Sequence, residues 1–325
     1  MASPLLEVQN LQTHLLLAGG TAKVVDGISF SIDKGETMAL VGESGCGKTM
    51  TAYSIMRLIA SPPGKIAGGK IMFEGEDILG IPEKKMRAIR GNRLAMVFQE
   101  SLTALNPVFR VGNQIAEVLQ VHRSMKKKDA LDKAIKLLKD VGMPSPETRI
   151  RDYPHQLSGG MRQRVIIAMA LACDPKLIIA DEPTTALDVT VQAQIMELLH
   201  QLKKNQEMSL LLITHDLGVV AETAGNVAVM YAGRIVEYTD VKSIFKNPLS
   251  PYTRGLLNSL PHISGERLKP IKGMVPPVLG LPAGCKFNTR CEHAFDACFQ
   301  AEPDLIDAHA NSPDKHLVRC WLYQK

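Results

Sequence analysis

The sequence predicts an α/β fold built around a phosphate-binding loop, with a small cysteine-containing extension at its C-terminal end. Three observations carry this. First, Thr37-Met38-Ala39-Leu40-Val41 reads as a buried strand, runs into Gly42-Glu43-Ser44-Gly45-Cys46-Gly47-Lys48-Thr49, and is followed by Ala52, Ile55, Met56 and Ile59 at helical spacing. Second, two more apolar runs, Lys176 to Ala180 and Ser209 to Thr214, end directly at Asp181-Glu182 and at His215. Parallel strands present their chemistry at such carboxyl ends. Third, four of the six cysteines lie in the last 41 residues.

Composition sets the outer bounds. A chain of 325 residues, 45% apolar and 22% charged, is long enough for two domains that each bury a core. A net charge of +5 is too small an excess to point to nucleic acid. Its densest run, Lys126-Lys127-Lys128, opens a predicted amphipathic helix with Leu131, Ala134, Ile135 and Leu138 on one face, and no aromatic residues alternate with the lysines as a base-stacking platform requires. The apolar stretch from Val165 to Cys173 falls far short of the roughly 20 residues that cross a bilayer. Glu7 interrupts a short apolar start, with no basic leader and no long apolar core of a secretory signal. The chain is expected in the cytoplasm.

In chain order the expected elements are a β-rich N-terminal edge, the strand–loop–helix at 37 to 59, the apolar run Leu94 to Phe98 ending at Gln99, a helical subdomain over about 100 to 165, and the strands ending at Asp181 and His215. Val191, Ile195, Leu198 and Leu202 then give a helix packed on the sheet. The division falls near residue 245, with 1–245 as the nucleotide-binding domain and 246–325 as the extension.

The glycine loop explains its own residue choice. Gly42, Gly45 and Gly47 let the backbone curl so that successive N–H groups, including those of Ser44 and Cys46, point at phosphate oxygens at the positive end of the following helix. Lys48 reaches the β- and γ-phosphates and Thr49 ligates Mg²⁺. Cys46 occupies a variable loop position, where alkylation is expected to block the pocket. Asp181 is expected to hold the magnesium and Glu182 to orient or deprotonate the attacking water. His215 is placed to contact the γ-phosphate.

Taken in order, the phosphate loop, Gln99, Leu157-Ser158-Gly159-Gly160-Met161, Asp181-Glu182 and His215 resemble the ATP-binding cassette (ABC) family across residues 5 to 240. The resemblance implies that the amide oxygen of Gln99 completes the magnesium shell. It also implies that Ser158, Gly159 and Gly160 close over the ATP of an opposite subunit, and that Ala186-Leu187-Asp188 is the D-loop crossing the seam. Two cassettes would then sandwich ATP head to tail. One departure stands out: the family usually stacks adenine on an aromatic residue near position 15, where this chain has Leu15, and residues 1 to 29 contain no Phe, Tyr or Trp. Adenine contact is left to His14 or to aliphatic side chains, so GTP is expected to compete with ATP better than usual.

The branch is read elsewhere. Gln99-Glu100-Ser101-Leu102-Thr103-Ala104-Leu105-Asn106-Pro107 resembles the segment of peptide and nickel importers on which coupling helices of membrane subunits dock. Asn247-Pro248-Leu249-Ser250-Pro251-Tyr252-Thr253, with Leu256-Leu257, resembles that branch's C-terminal extension, although a proline-rich linker would read the same. Cys285, Cys291, Cys298 and Cys320 are separated by 5, 6 and 21 residues. Such spacings are neither the close pairs of common zinc modules nor a ferredoxin run, so structural zinc, an iron–sulfur cluster and unliganded thiols stay open on spacing alone, while disulfides do not suit a reducing cytoplasm. The tails of dipeptide and oligopeptide transporter subunits carry four cysteines in this arrangement, and that resemblance favours [4Fe–4S], acting as a staple for a small tail.

The resemblance therefore implies an ATP-hydrolysing subunit of an importer of di- or oligopeptides, peripheral on the cytoplasmic face of the inner membrane. Its partners would be two membrane permease subunits, a second related ATPase (the same chain or a different one) and, indirectly, an extracellular solute-binding protein, with no nucleic acid. Nickel or another small solute is the alternative cargo. The rival class is a soluble ABC ATPase acting on nucleic acid or ribosomes. Such factors carry two cassettes, and DNA-repair relatives have long insertions, whereas here one loop is present and Lys48 and Asp181 are 133 residues apart.

Overall fold

A computed structural model describes residues 3–185, 187–206, 208–259, 271–309 and 315–324. Ala186 of the expected D-loop and parts of the 246–325 extension lie outside the described residues. The chain forms two compact units, one of residues 1–32, 37–79 and 213–325, the other of residues 33–36 and 80–212.

In the first unit, Leu6–Leu17 and Gly20–Ile32 form a hairpin through Ala18-Gly19, and Gly64–Phe73 and Glu76–Asp77 extend the antiparallel sheet beyond Leu6–Leu17. Alternation selects the inward face: Leu6 and Val8 are buried while Glu7 is half-exposed. A register shift between Val8 and Leu11, with Asn10 at φ 47°, returns Leu11 to the buried side. This is the β-rich N-terminal edge.

Thr37–Val41 is buried along its whole length, as a strand covered on both faces must be, and pairs in parallel with Asn226–Tyr231. That strand turns back through Ala232-Gly233, both at positive φ (46° and 81°), into Arg234–Asp240. Two left-handed residues in a two-residue turn match the twist of a hairpin. The short strands Leu317–Val318 and Ile306–Asp307, from the end of the chain, add to the same sheet. The helix after the phosphate loop is shorter than the apolar spacing suggests, spanning Lys48–Ile55. Arg57 at φ 50° ends it, and Pro62-Pro63 follow within a few residues, so Ala52, Ile55 and Met56 are buried while Ile59 lies beyond the helix and is half-buried.

In the second unit, Leu94–Val97 and Leu177–Asp181 pair in parallel with Val97 opposite Ala180. Helices Val111–Arg123, Lys127–Asp140, Gly159–Leu171 and Val189–Gln206 are its main helical elements. On Lys127–Asp140 the buried stripe is Ala130, Ala134, Leu137 and Leu138, with Leu131 and Ile135 only half-buried. The expected face is thus rotated by about one position. Small side chains at 130 and 134 permit close approach to the neighbouring helices Val111–Arg123 and Gly159–Leu171, leaving the larger residues on the shoulder. Lys126, Lys127 and Lys128 are exposed. On Val189–Gln206, Ile195, Leu198 and Leu202 are buried together with Met196 and Leu199, and Val191 is half-buried. Among the described residues no helix is long and apolar enough to cross a membrane.

Candidate functional site

The sequence-predicted residues fall into two groups, one in each unit. In the first unit, the phosphate loop leaves the buried Thr37–Val41 strand and enters the Lys48–Ile55 helix. Gly42 has φ 153°, and a Cβ there would lie 2.2 Å from the carbonyl oxygen of Met230; at Gly47, φ 108°, a Cβ would lie 2.3 Å from that of Val24. Neither position admits a side chain without displacing backbone. Ser44 and Gly45 are exposed at the crest, and Thr49 is half-buried.

Lys48 is 5% exposed, and its Nζ donates to the carbonyl oxygens of Gly42 (2.8 Å) and Glu43 (3.0 Å). The loop is curled around its own cation. Cys46 is turned inward beneath the loop, 3.8 Å from Lys48 Nζ, and burial pushes its thiol pKa up despite the neighbouring ammonium. Its thiol is therefore not presented to reagents at the loop surface, as the sequence had suggested.

Glu43, which sequence reasoning passed over, is held at three points. Its N–H donates to Tyr252 Oη (2.9 Å), its carbonyl accepts from Lys48, and its carboxylate receives both arms of the Arg290 guanidinium at 2.6 and 2.9 Å. The Glu43 carboxylate and Tyr231 beside Arg290 hold the guanidinium above its ordinary pKa range, against the effect of burial. A phosphate loop says nothing of such partners; only the NPLSPYT segment marked Tyr252 as unusual.

His215 follows the strand Ser209–Thr214 and is exposed. The next residue, Asp216, caps the helix Leu217–Thr223 by accepting from the N–H groups of Gly218 (2.9 Å) and Val219 (3.2 Å). At the position where the sequence lacks an aromatic residue, Leu15 is half-buried, whereas Leu16 and Leu17 are exposed by 62% and 45%. His14 is half-buried, and its Nε2 has no hydrogen-bond partner among the described residues.

In the second unit, Asp181 closes the Leu177–Asp181 strand fully buried, and Glu182 follows at φ 44°. The left-handed backbone turns Glu182 away from the strand direction, where its Oε2 accepts from Gln99 Nε2 (3.1 Å) and Thr185 Oγ1 (2.8 Å). Thr185 was not singled out in the sequence. Gln99 is exposed, and its amide nitrogen donates to Glu182. Ser158 starts the helix Gly159–Leu171, its hydroxyl accepting from Met161 N–H at 3.3 Å. A Cβ on Gly160 would lie 2.7 Å from Val191 Cγ1, and one on Gly159 3.4 Å from Leu187 Cδ2. Asp188 accepts from Val191 N–H (2.9 Å) and so begins the helix Val189–Gln206.

The C-terminal extension is not a linker. Pro251 occupies the first turn of the helix Pro251–Asn258, and the N–H groups of Leu249 and Ser250 donate to the buried carboxylate of Glu237 at 2.7 and 2.9 Å. His316 Nε2 lies 2.7 Å from the same carboxylate. Cys285, Cys291, Cys298 and Cys320 line one cavity of about 30 Å³ in company with Phe287 and Trp321, and none is in a disulfide. Backbone bonding brings the segments together: Cys285 N–H donates to Cys298 C=O (2.9 Å), and Asn288 Nδ2 to the same carbonyl (3.1 Å). Burial pushes the Cys285 thiol up to about 11, with the other three thiols adding to the shift. Among the described residues no group of three or more His, Cys, Asp or Glu side chains is arranged to hold a metal ion. This bears equally on the [4Fe–4S] cluster favoured from the sequence and on its zinc alternative: the four thiols share a cavity, and their arrangement shows neither metal centre.

Comparison with known proteins agrees with this geometry. The family model for ABC transporter matches residues 25–185, and that for the oligopeptide/dipeptide transporter C-terminal region matches residues 236–298. The chain is 52% identical over 325 residues to the oligopeptide transport ATP-binding protein AppD of Bacillus subtilis (strain 168), covering 99% of this chain and 98% of that protein. It is 48% identical over 319 residues to the dipeptide transport ATP-binding protein DppD of the same organism, covering 98% and 94%. Among solved structures, the dimeric bacterial ABC transporter cassette MJ0796 superposes with a TM-score of 0.66 at 25% identity, covering 73% of this chain and 98% of that one. CbiO1 from Clostridium perfringens, part of the ABC transporter complex cbiONQ, gives 0.63 at 27%, covering 76% and 92%. The chain belongs to the ATP-binding cassette ATPases, and within them to the family of oligopeptide and dipeptide transport ATP-binding proteins.

Proposed function

We propose that this protein is the ATPase subunit of an importer for di- or oligopeptides and that it works as one of two cassettes beneath a pair of membrane permease subunits. The observation that carries this is the near-full-length identity to oligopeptide and dipeptide transport ATP-binding proteins, which includes the extension as well as the cassette. Lys48 and the loop N–H groups of Ser44 to Thr49 bind the triphosphate. Thr49, Gln99 and Asp181 are the ligands for Mg²⁺; a fully buried carboxylate such as Asp181 suits a cation, and the bound ion neutralises charge on the phosphates. Glu182 takes the proton of the attacking water, Thr185 and Gln99 fix its carboxylate, and His215 steadies the γ-phosphate. The Gln99 contact also ties the docking segment 99–107 to the catalytic carboxylate, a route by which permease movement and hydrolysis are coupled.

Ser158, Gly159 and Gly160 close on the nucleotide of the partner cassette, with Asp188 beside the seam. Aliphatic contact from the exposed Leu16 and Leu17 serves the adenine. Cys285, Cys291, Cys298 and Cys320, four free thiols that line one cavity, would hold a [4Fe–4S] cluster, with zinc as the alternative. When bound there, the group would cross-link the segments of the extension that carry the four thiols.

Two measurements test the reading. Glu182→Gln should bind ATP like the parent while turnover falls at least about 100-fold, as loss of a general base requires; turnover at the parental rate removes Glu182 from the mechanism. Iron and sulfide analysis with visible absorbance on anaerobically purified protein should show the cluster; stoichiometric zinc without iron overturns it.

A further inference from the structure

We infer that Tyr252 and Arg290, both from the C-terminal extension, are positioning residues for the phosphate loop, so that the grip on nucleotide phosphates is set from the tail. The inference deepens the nucleotide-binding reading of that loop and rests on it. Glu43 is the second residue of the loop, and each of its polar groups is engaged: N–H by Tyr252, C=O by Lys48, carboxylate by Arg290. Lys48 is the side chain that must meet the β- and γ-phosphates. Its ammonium is shared between the carbonyls of Gly42 and Glu43, so whatever fixes Glu43 fixes where that ammonium rests.

Neither clamp can drift. Tyr252 is fully buried, and its ring packs with Tyr231 and Phe287 at centroid distances of 4.7 and 5.3 Å. Arg290 lies 5.8 Å over the Tyr231 and Phe287 rings, and its Nε donates to Lys272 C=O at 3.0 Å. Tyr231 is the last residue of the strand paired to Thr37–Val41, which delivers the loop, and a Cβ on Gly42 would strike the adjacent Met230 carbonyl. The loop is thus bounded by this strand on one side and by the tail's aromatic cluster on another. Because Phe287 and Arg290 sit between Cys285 and Cys291, the segment that clamps Glu43 is also the one that lines the cysteine cavity.

The test uses the full chain with Tyr252→Phe, which removes one hydroxyl, Arg290→Met and Glu43→Gln, read by the Kd for Mg-ATP, the KM and kcat for hydrolysis, and the thermal midpoint. The inference expects Kd and KM to rise by about 3-fold for Tyr252→Phe and about 10-fold for Arg290→Met, roughly 0.7 and 1.4 kcal/mol of binding free energy, with KM changing more than kcat. Arg290→Lys should recover part of the loss. Combining Glu43→Gln with Arg290→Met should cost no more than the larger single change. If all variants bind Mg-ATP as tightly as the parent and only the thermal midpoint falls, the contacts merely anchor the tail and the inference is wrong. Failure of the parent itself to bind Mg-ATP, with Lys48→Ala no worse, would instead sink the nucleotide-site reading.

Discussion

At the scale of single residues, the proposed catalytic carboxylate is carried on a backbone held away from its ordinary preference. Glu182 has φ 44°, a region that costs a non-glycine residue on the order of 1–3 kcal/mol and persists only where neighbours over-determine it. Thr185 and Gln99 are such neighbours. Thr185→Val, which keeps shape and removes the hydroxyl, should lower kcat by about 10-fold, the size of one hydrogen bond of about 1.4 kcal/mol to a charged acceptor, while leaving ATP affinity in place. Steady-state hydrolysis with nucleotide binding on the same preparation checks this. Cys46 behaves in the opposite sense: buried and kept protonated, it should react with iodoacetamide far more slowly than a free thiol at pH 7 and should become accessible in denaturant. Rapid, stoichiometric alkylation of the native protein at Cys46 would contradict its inward placement. Motif residues were legible in the sequence because their spacing is local. The partners of Glu43 were not, since Tyr252 and Arg290 lie 209 and 247 residues away and no periodicity links them to the loop.

At the scale of elements, strands were read more accurately than helix faces. Ser209–Thr214 matches its apolar run, and Leu177–Asp181 differs by one residue, because continuous burial leaves little choice of register. The Lys127–Asp140 stripe lies one position from the face its spacing predicts, because alanine carries a weak apolar signal but fits a close helix contact. The helix after the phosphate loop ends before Ile59, which continues the apolar spacing past a left-handed residue that sequence does not announce. Helix contacts give a sharp test at Gly160, where a methyl group would press on Val191. Gly160→Ala should destabilise the fold by about 1–3 kcal/mol, the cost of overpacking, and Val191→Ala should restore most of it. Thermal unfolding of the two single variants and the double variant checks this. A second test concerns Glu237, which gathers Leu249, Ser250 and His316 around one buried carboxylate. Glu237→Ala should cost about 2–6 kcal/mol, because the N–H groups of Leu249 and Ser250 each lose a buried acceptor at about 1–3 kcal/mol, read by denaturant unfolding.

At the scale of the whole molecule, the extension is structurally part of the unit that carries the phosphate loop. Its last strands join the sheet of that unit, and its aromatic residues complete the packing around Tyr231. Sequence pattern alone left the NPLSPYT segment open between linker and folded extension, because prolines serve both, and the buried Glu237 that decides the matter is distant in the chain from His316. ATP hydrolysis here drives peptide uptake, and the direct measurement is entry of a labelled tripeptide into cells that lack the gene for this chain. Uptake restored by the parental gene but not by Glu182→Gln, at equal protein levels, is the predicted result. Equal uptake with either gene, or none with both while ATP hydrolysis by the purified parent is intact, would contradict it.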